Sequence, residues 1–315
     1  MLAPSQLQNF SKIQSLRPLI DIGLCWGIIV GSLWIAGKNP YLIPLLLPVI
    51  ASRLHALTII MHDGAHRLIS TNKIANDVIS NIFCAFPLLL STEIYRQSHF
   101  KHHKYTQTEK DPNYLIMQKE ESWHYPKTKE EVKNLFYKDL LLLTLKDHLV
   151  ILKEWQILPN FRNTSRLEKY LFPLFITALV SGVTFYHLWV EFFILQLSAL
   201  LINPITRMRA MSEHIHSHSH GQSKIDKLQE TTTINASPLE RFFISPFNTN
   251  RHLEHHLYPT VPYYRLEELH KTIQKTHFYQ AHCLYELDGY FLGERTSFKE
   301  VLCEKPIAQV LKKTA

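Results

Sequence analysis

Eight of the 19 histidines fall in three tight clusters: His62-Asp63-Gly64-Ala65-His66, His99-Phe100-Lys101-His102-His103 and His252-Leu253-Glu254-His255-His256. Neutral imidazole binds iron, copper, zinc or nickel, so the clusters offer a metal site and leave the metal open. Two of them share the pattern H-x-x-H-H, which random placement of the histidines would give only about 0.07 times. An H-x-x-x-H pair arises by chance about once in such a chain, so the first cluster takes its weight from its position. On a helix, His62 and His66 lie one turn apart and can face the same ion. His99, His102 and His103 contain both an i,i+3 and an i,i+4 pair, so one helix can serve two adjacent ions, and the third cluster repeats the arrangement. Eight imidazoles exceed the needs of a single zinc, which argues for two metals. A histidine-rich pair of redox metals beside a membrane suits oxygen activation, because an unactivated C–H bond gives acid–base catalysis no handle.

The elements that must hold these clusters are apolar. Leu19 to Gly37 carries one charge, Asp21, and is long enough to cross a bilayer. Lys38-Asn39-Pro40 makes a turn, and Tyr41 to Met61 forms a second apolar stretch containing Arg53 and His55. Tyr170 to Tyr186 and Leu188 to Ile205 form another pair, separated by His187. The expected fold is therefore an all-α integral membrane protein. It has two transmembrane helical hairpins (spans 19–37, 41–61, 170–186 and 188–205) and a helical cytoplasmic cap carrying a histidine-rich di-metal site. Residues 62–169 and 206–315 fall on one side with the N-terminus, and the chain reads as a single domain, 1–315. Lys12, Arg17, Arg67, Lys169, Arg207 and Arg209 near the span ends favour a cytoplasmic placement of that side and of both termini.

This layout puts all three clusters on one side, the first beginning where the second span ends. Val78–Leu90 is short for a span and reads as an interfacial or re-entrant helix. Gly23, Gly27 and Gly31 share a helix face, expected to pack closely against a neighbouring helix. Arg53 and His55 must face protein or water. His55 shares a helix face with His62 and His66 and reads as a supporting residue rather than a ligand.

The clusters, their order and the two-hairpin layout resemble the membrane-bound fatty acid desaturase superfamily, a non-haem di-iron group that also holds hydroxylases and carotenoid ketolases. Tyr95-Arg96-Gln97-Ser98-His99 through Asp111-Pro112-Asn113 is similar to the family's second-box context. Pro246-Phe247-Asn248-Thr249-Asn250-Arg251-His252-Leu253-Glu254-His255-His256-Leu257-Tyr258-Pro259, followed by Val261-Pro262-Tyr263-Tyr264, resembles the third. Arg209-Ala210-Met211-Ser212-Glu213-His214 is similar to an element that supplies a further metal-binding histidine. Residues 50–113 and 203–271 carry the resemblance specifically, the rest in outline.

The resemblance implies two iron ions held by His62, His66, His99, His102, His103, His214, His252, His255 and His256. Some relatives have an Asn one turn before the residue matching His214. Ala210 stands there, and Asn203 and Asn250 are nearby candidates for a contact through water. Asp63, Asp111, Glu213 and Glu254 lie beside the boxes and are candidates to fix the second ring nitrogen of ligating histidines. His216, His218 and His220 read as loop residues, and His124, His148, His187, His270, His277 and His282 as surface or satisfied core residues.

The implied reaction is desaturation of an acyl chain, in an acyl lipid or acyl thioester, with O2 and two external electrons. Hydroxylation or ketolation of a carotenoid or other lipid is the alternative within the superfamily, and non-catalytic metal binding the alternative outside it. A zinc hydrolase is disfavoured because H-E-x-x-H is missing. With no G-x-G-x-x-G and no H-P-G-G stretch, electrons are expected from a separate protein of ferredoxin or cytochrome b5 type. Lys101, Lys104 and Lys110 could attract such an acidic donor. The net charge of +7 comes with no nucleic-acid motif. Cys25, Cys84, Cys283 and Cys303 form no C-x-x-C pair and read as free thiols, with Cys25 packed in its apolar run. No signal peptide is visible, which fits a bacterial inner membrane, with the endoplasmic reticulum as the alternative.

Overall fold

The computed structural model describes residues 2–215 and 224–303, so His216, His218 and His220 lie outside the described residues. The principal helices are α1 (Leu16–Lys38), α2 (Ile43–Ala65), α3 (Lys73–Ser80), α4 (Thr92–Tyr105), α5 (Lys129–Leu140), α6 (Arg166–Phe185), α7 (Trp189–Leu200), α8 (Ile202–Glu213), α9 (His252–Leu257) and α10 (Leu266–Ile273). The chain forms two compact units. A spanning unit comprises Ile13–Gln97 and His148–Ile205, and a polar unit comprises Met1–Lys12, Ser98–Asp147 and Thr206–Ala315.

Among the described residues, four helical runs are long and apolar enough to cross a membrane: Leu16–Lys38, Pro40–Ala65, Arg166–Phe185 and Trp189–Glu213. They match the four expected spans. Several overrun them, because backbone hydrogen bonding continues a helix past the apolar stretch that the bilayer requires. In the spanning unit α1, α2 and α7 pack together. Outward faces remain apolar, with Leu24, Trp34, Leu45, Leu174 and Phe193 exposed, as suits helices solvated by lipid. Both hairpins turn tightly. Asn39 stops α1 and its side chain accepts the Tyr41 N–H at 3.3 Å. His187, at φ 56°, lets the Leu188 N–H reach back to the Val183 carbonyl at 2.9 Å.

A Cβ placed on Gly23, Gly27 or Gly31 would find nothing within 4 Å, so this face does not pack closely on a neighbouring helix as expected. Nor is Val78–Leu90 one helix. After α3 it passes through a π turn (Asn81–Ala85) and a 3-10 turn (Phe86–Leu88), with Pro87 interrupting the helical ladder. Phe86 is fully buried there, its ring 5.2 Å from that of Phe172. Arg53 and His55 are buried in protein, as their charge and polarity demand, and Arg53 donates to Ser52 Oγ at 2.8 Å.

The polar unit is organised by one extended segment, Thr231–Asn235. Thr231 bridges His214 in antiparallel fashion, and the Thr232 N–H donates to the Glu213 carbonyl at 3.0 Å. Two residues on, Thr233–Ile234 pairs in parallel with Glu286–Leu287, a short strand contact within an otherwise helical fold. The Leu253 N–H donates to the Thr232 carbonyl at 3.0 Å, so the same segment also holds α9. The N-terminus joins this unit where the Leu2 N–H donates to the Tyr258 hydroxyl at 3.2 Å.

Candidate metal centre

The histidine clusters lie on α2, α4 and α9, and side chains fix the end of α2 and the start of α4. In the spanning unit, α2 runs through His62 and stops at Ala65, with His66 as its C-cap. Its last carbonyls are not left bare. Arg96 Nε donates to the Ala65 carbonyl at 2.8 Å and Nη2 to that of Gly64 at 3.1 Å, while Asn76 Nδ2 also donates to Gly64 at 2.8 Å. Arg96 is in turn paired with Asp77 at 2.5 Å and with Glu93. The start of α4 is held by buried Glu168, which accepts the Glu93 N–H at 3.0 Å and the Ser91 hydroxyl at 2.8 Å.

Gly64 is required by close approach. A Cβ there would lie 2.2 Å from Ser80 Oγ and 2.6 Å from Ser80 Cβ, so α3 can lie against the first box only over a glycine. The His62 and His66 rings lie 5.0 Å apart, as an i,i+4 pair should, and Asp63 approaches His62 Nδ1 at 3.4 Å. Burial pushes the His66 imidazole down to about 3, and the Arg96 guanidinium adds to the effect.

Seven of the nine sequence-predicted ligands gather in the polar unit, in two sets. In the first, His103 Nε2 lies 2.9 Å from His99 Nε2 and 2.9 Å from His255 Nε2. In the second, His214 Nε2 lies 3.1 Å from His102 Nε2 and 3.0 Å from His252 Nε2, and His256 completes a group able to hold an ion. The His103 and His256 rings, 4.4 Å apart, join the sets. Helical spacing explains the sorting. His99 and His103 are an i,i+4 pair serving one set, His252 and His256 an i,i+4 pair serving the other, and His102 and His255 each cross over. Burial pushes the His252 and His256 imidazoles well below their ordinary range, with His214 the next cause for His252 and His103 for His256. Neutral imidazole is the form that binds metal.

The four acids behave differently. Asp111 Oδ2 lies 2.9 Å from His102 Nδ1, fixing that ring so that Nε2 faces the centre. Glu213 approaches His252 Nδ1 at 3.6 Å and is paired with Arg209 at 2.5 Å. Glu254 turns away from the neighbouring histidines of α9. It accepts from His270 Nδ1 at 2.7 Å and from the Thr233 hydroxyl at 2.9 Å. Asn250 is buried and donates to the Ile234 carbonyl at 2.7 Å, a loop contact, and Asn203 is buried in the spanning unit.

Sequence reasoning missed several of these partners. Thr231 Oγ1 lies 3.4 Å from His214 Nδ1, and neither His270 nor Thr231 stands within a helical turn of a box. Only Arg96 carried a signal, as part of the run Tyr95-Arg96-Gln97-Ser98-His99 that resembles the family's second-box context.

A family model for fatty acid desaturase matches residues 39–286, a range that takes in all three boxes and His214. The chain is 26% identical over 244 residues to dihydrorhizobitoxine desaturase of Bradyrhizobium elkanii, covering 73% of this chain and 67% of that protein. With helices suited to a membrane and clustered imidazoles able to hold metal, the chain belongs to the fatty acid desaturase family.

Proposed function

We propose that this protein is a membrane desaturase that introduces a double bond into the acyl chain of a lipid or thioester, using two iron ions, O2 and two electrons from a separate donor. The observation that carries the reading is the pair of all-imidazole sets, brought together from segments more than a hundred residues apart. Their donors fit iron: His252 and His256 are held neutral by burial, and Asp111 fixes the ring of His102. His99, His103 and His255 would hold one ion, and His102, His214, His252 and His256 the other. The first-box pair, His62 and His66, is assigned to the ligand set on its resemblance to the family's first box.

Bound iron would supply the oxygen chemistry that removes two hydrogens from adjacent carbons. The protein's own part is to aim the imidazoles, keep His252 and His256 unprotonated and exclude water through the burial of His99, His102, His255 and His256. The name of the Bradyrhizobium relative is that of a desaturase, which favours hydrogen removal over oxygen insertion. Lys101, Lys104 and Lys110 are exposed in the polar unit and would attract an acidic donor of ferredoxin or cytochrome b5 type. The basic residues near the span ends support cytoplasmic termini, and a bacterial inner membrane is the proposed location.

The test is expression in a host lacking desaturases, with mass spectrometry of the extracted acyl lipids and H102A as control. New unsaturation that depends on His102 is the expected result and locates the bond. Oxygenated lipid products in place of unsaturation would overturn the reading in favour of hydroxylation. Two bound iron ions with no O2 consumption, even with donor supplied, would leave a metal-binding protein.

A further inference from the structure

The loop that follows α5 is an unusual one. With the last two residues of α5 it reads Asp139-Leu140-Leu141-Leu142-Leu143-Thr144, and Leu140, Leu141 and Leu143 are 57%, 51% and 69% exposed. Tyr137, one turn before Leu140 and Leu141, is 61% exposed. Single exposed leucines need no explanation, but four large apolar side chains turned outward together form a patch. No spanning helix accounts for it, since the loop lies between α5 and α6 in the polar segment.

The loop is also firmly held. Leu142 takes the left-handed conformation at φ 60°, and the Leu142 and Leu143 N–H groups donate back to Asp139 and Lys138 at 3.0 and 2.9 Å. At its base the Asp139 and Thr144 side chains are hydrogen bonded. Asp139 is fully buried and accepts from Arg207 Nε at 2.7 Å and Nη2 at 3.2 Å. Arg207 donates as well to the Ser122 carbonyl at 3.1 Å and lies 4.3 Å over the Trp123 ring. A buried ion pair has a large desolvation cost and fixes geometry, and here it fixes a loop whose tip is leucine. Exposed Lys138 and Lys146 flank the tip.

We propose that Leu140–Leu143 is a lipid-insertion loop, entering the headgroup and acyl boundary of the membrane that the protein itself spans. Three features select lipid as the occupant. The chain keeps the loop tethered between two spans, the tip is apolar without charge, and the flanking lysines complement anionic headgroups. Through Arg207 the loop is fastened to α8, which ends one residue before His214, so its seat in the lipid sets the depth of that end of the polar unit. This holds whatever the substrate.

The test places a fluorescent label at L141C in the full-length protein carrying C283S and C303S, reconstituted in vesicles of phosphatidylcholine with or without phosphatidylglycerol. Lipids nitroxide-labelled near the headgroup should quench it about twofold more than a label at E294C, with iodide ineffective and the contrast greater with phosphatidylglycerol. L143C reads the same loop if the first label disturbs folding. Iodide quenching equal to that at E294C would overturn the proposal. Shielding from both quenchers would overturn it too, in favour of a protein partner or a second copy of the chain.

Discussion

Asp111 Oδ2 and His102 Nδ1 meet at 2.9 Å in a contact buried on both sides, and the same oxygen accepts the Gln107 N–H at 2.9 Å. The carboxylate is thus fixed by backbone before it fixes the ring. D111N keeps the shape but replaces an acceptor oxygen by a donor, which turns the ring or leaves its proton unpaired. Iron affinity should fall by about 10–100-fold, with helix content retained, as measured by competition with a chelator. Unchanged affinity would show that the ring is held by packing alone.

Acid should destabilise the metal-free protein through its buried imidazoles. His252 and His256 are pushed well below their ordinary range, and His66 to about 3. As pH falls below about 6.5 the unfolded chain takes up protons first and the folded chain does not, so stability present above that pH is lost progressively towards the depressed values. Thermal unfolding in detergent should give a midpoint that declines from pH 7 to pH 5, and added iron should oppose the decline least at the acid end. A midpoint independent of pH would contradict the burial of these rings.

G64A forces a methyl to within 2.2 Å of Ser80 Oγ and should cost about 1–3 kcal/mol while disturbing the end of α2. Because Ser80 Cβ is also too close, S80A should not restore stability and S80G should do so in part. Melting midpoints of the three variants separate a steric cause from a merely helical one, for in an open helix alanine would stabilise.

Glu254 depends on His270, not on the ligands beside it in sequence. H270A leaves a buried carboxylate with Thr233 as its remaining side-chain donor, at a cost of about 3 kcal/mol. H270Q, which can still donate, should recover part of the loss. Iron per folded chain is expected to stay near the parent value in H270Q, whereas loss of iron at full stability would place His270 nearer to the ligands than its contacts do.

Elements governed by local rules were legible in the chain. Long apolar runs set four membrane helices, and i,i+3 and i,i+4 spacing made each box a divided ligand source. Motif likeness also pointed to the family. Tertiary structure decided what depends on neighbours distant in the chain. It sorted the seven imidazoles of the polar unit into two sets, sent Glu254 to His270 and gave the carbonyls of α2 to Arg96. It left Gly23, Gly27 and Gly31 without a close neighbour and turned three leucines outward over a buried ion pair. Spacing fixes which side chains share a helix face, but only packing fixes what that face meets.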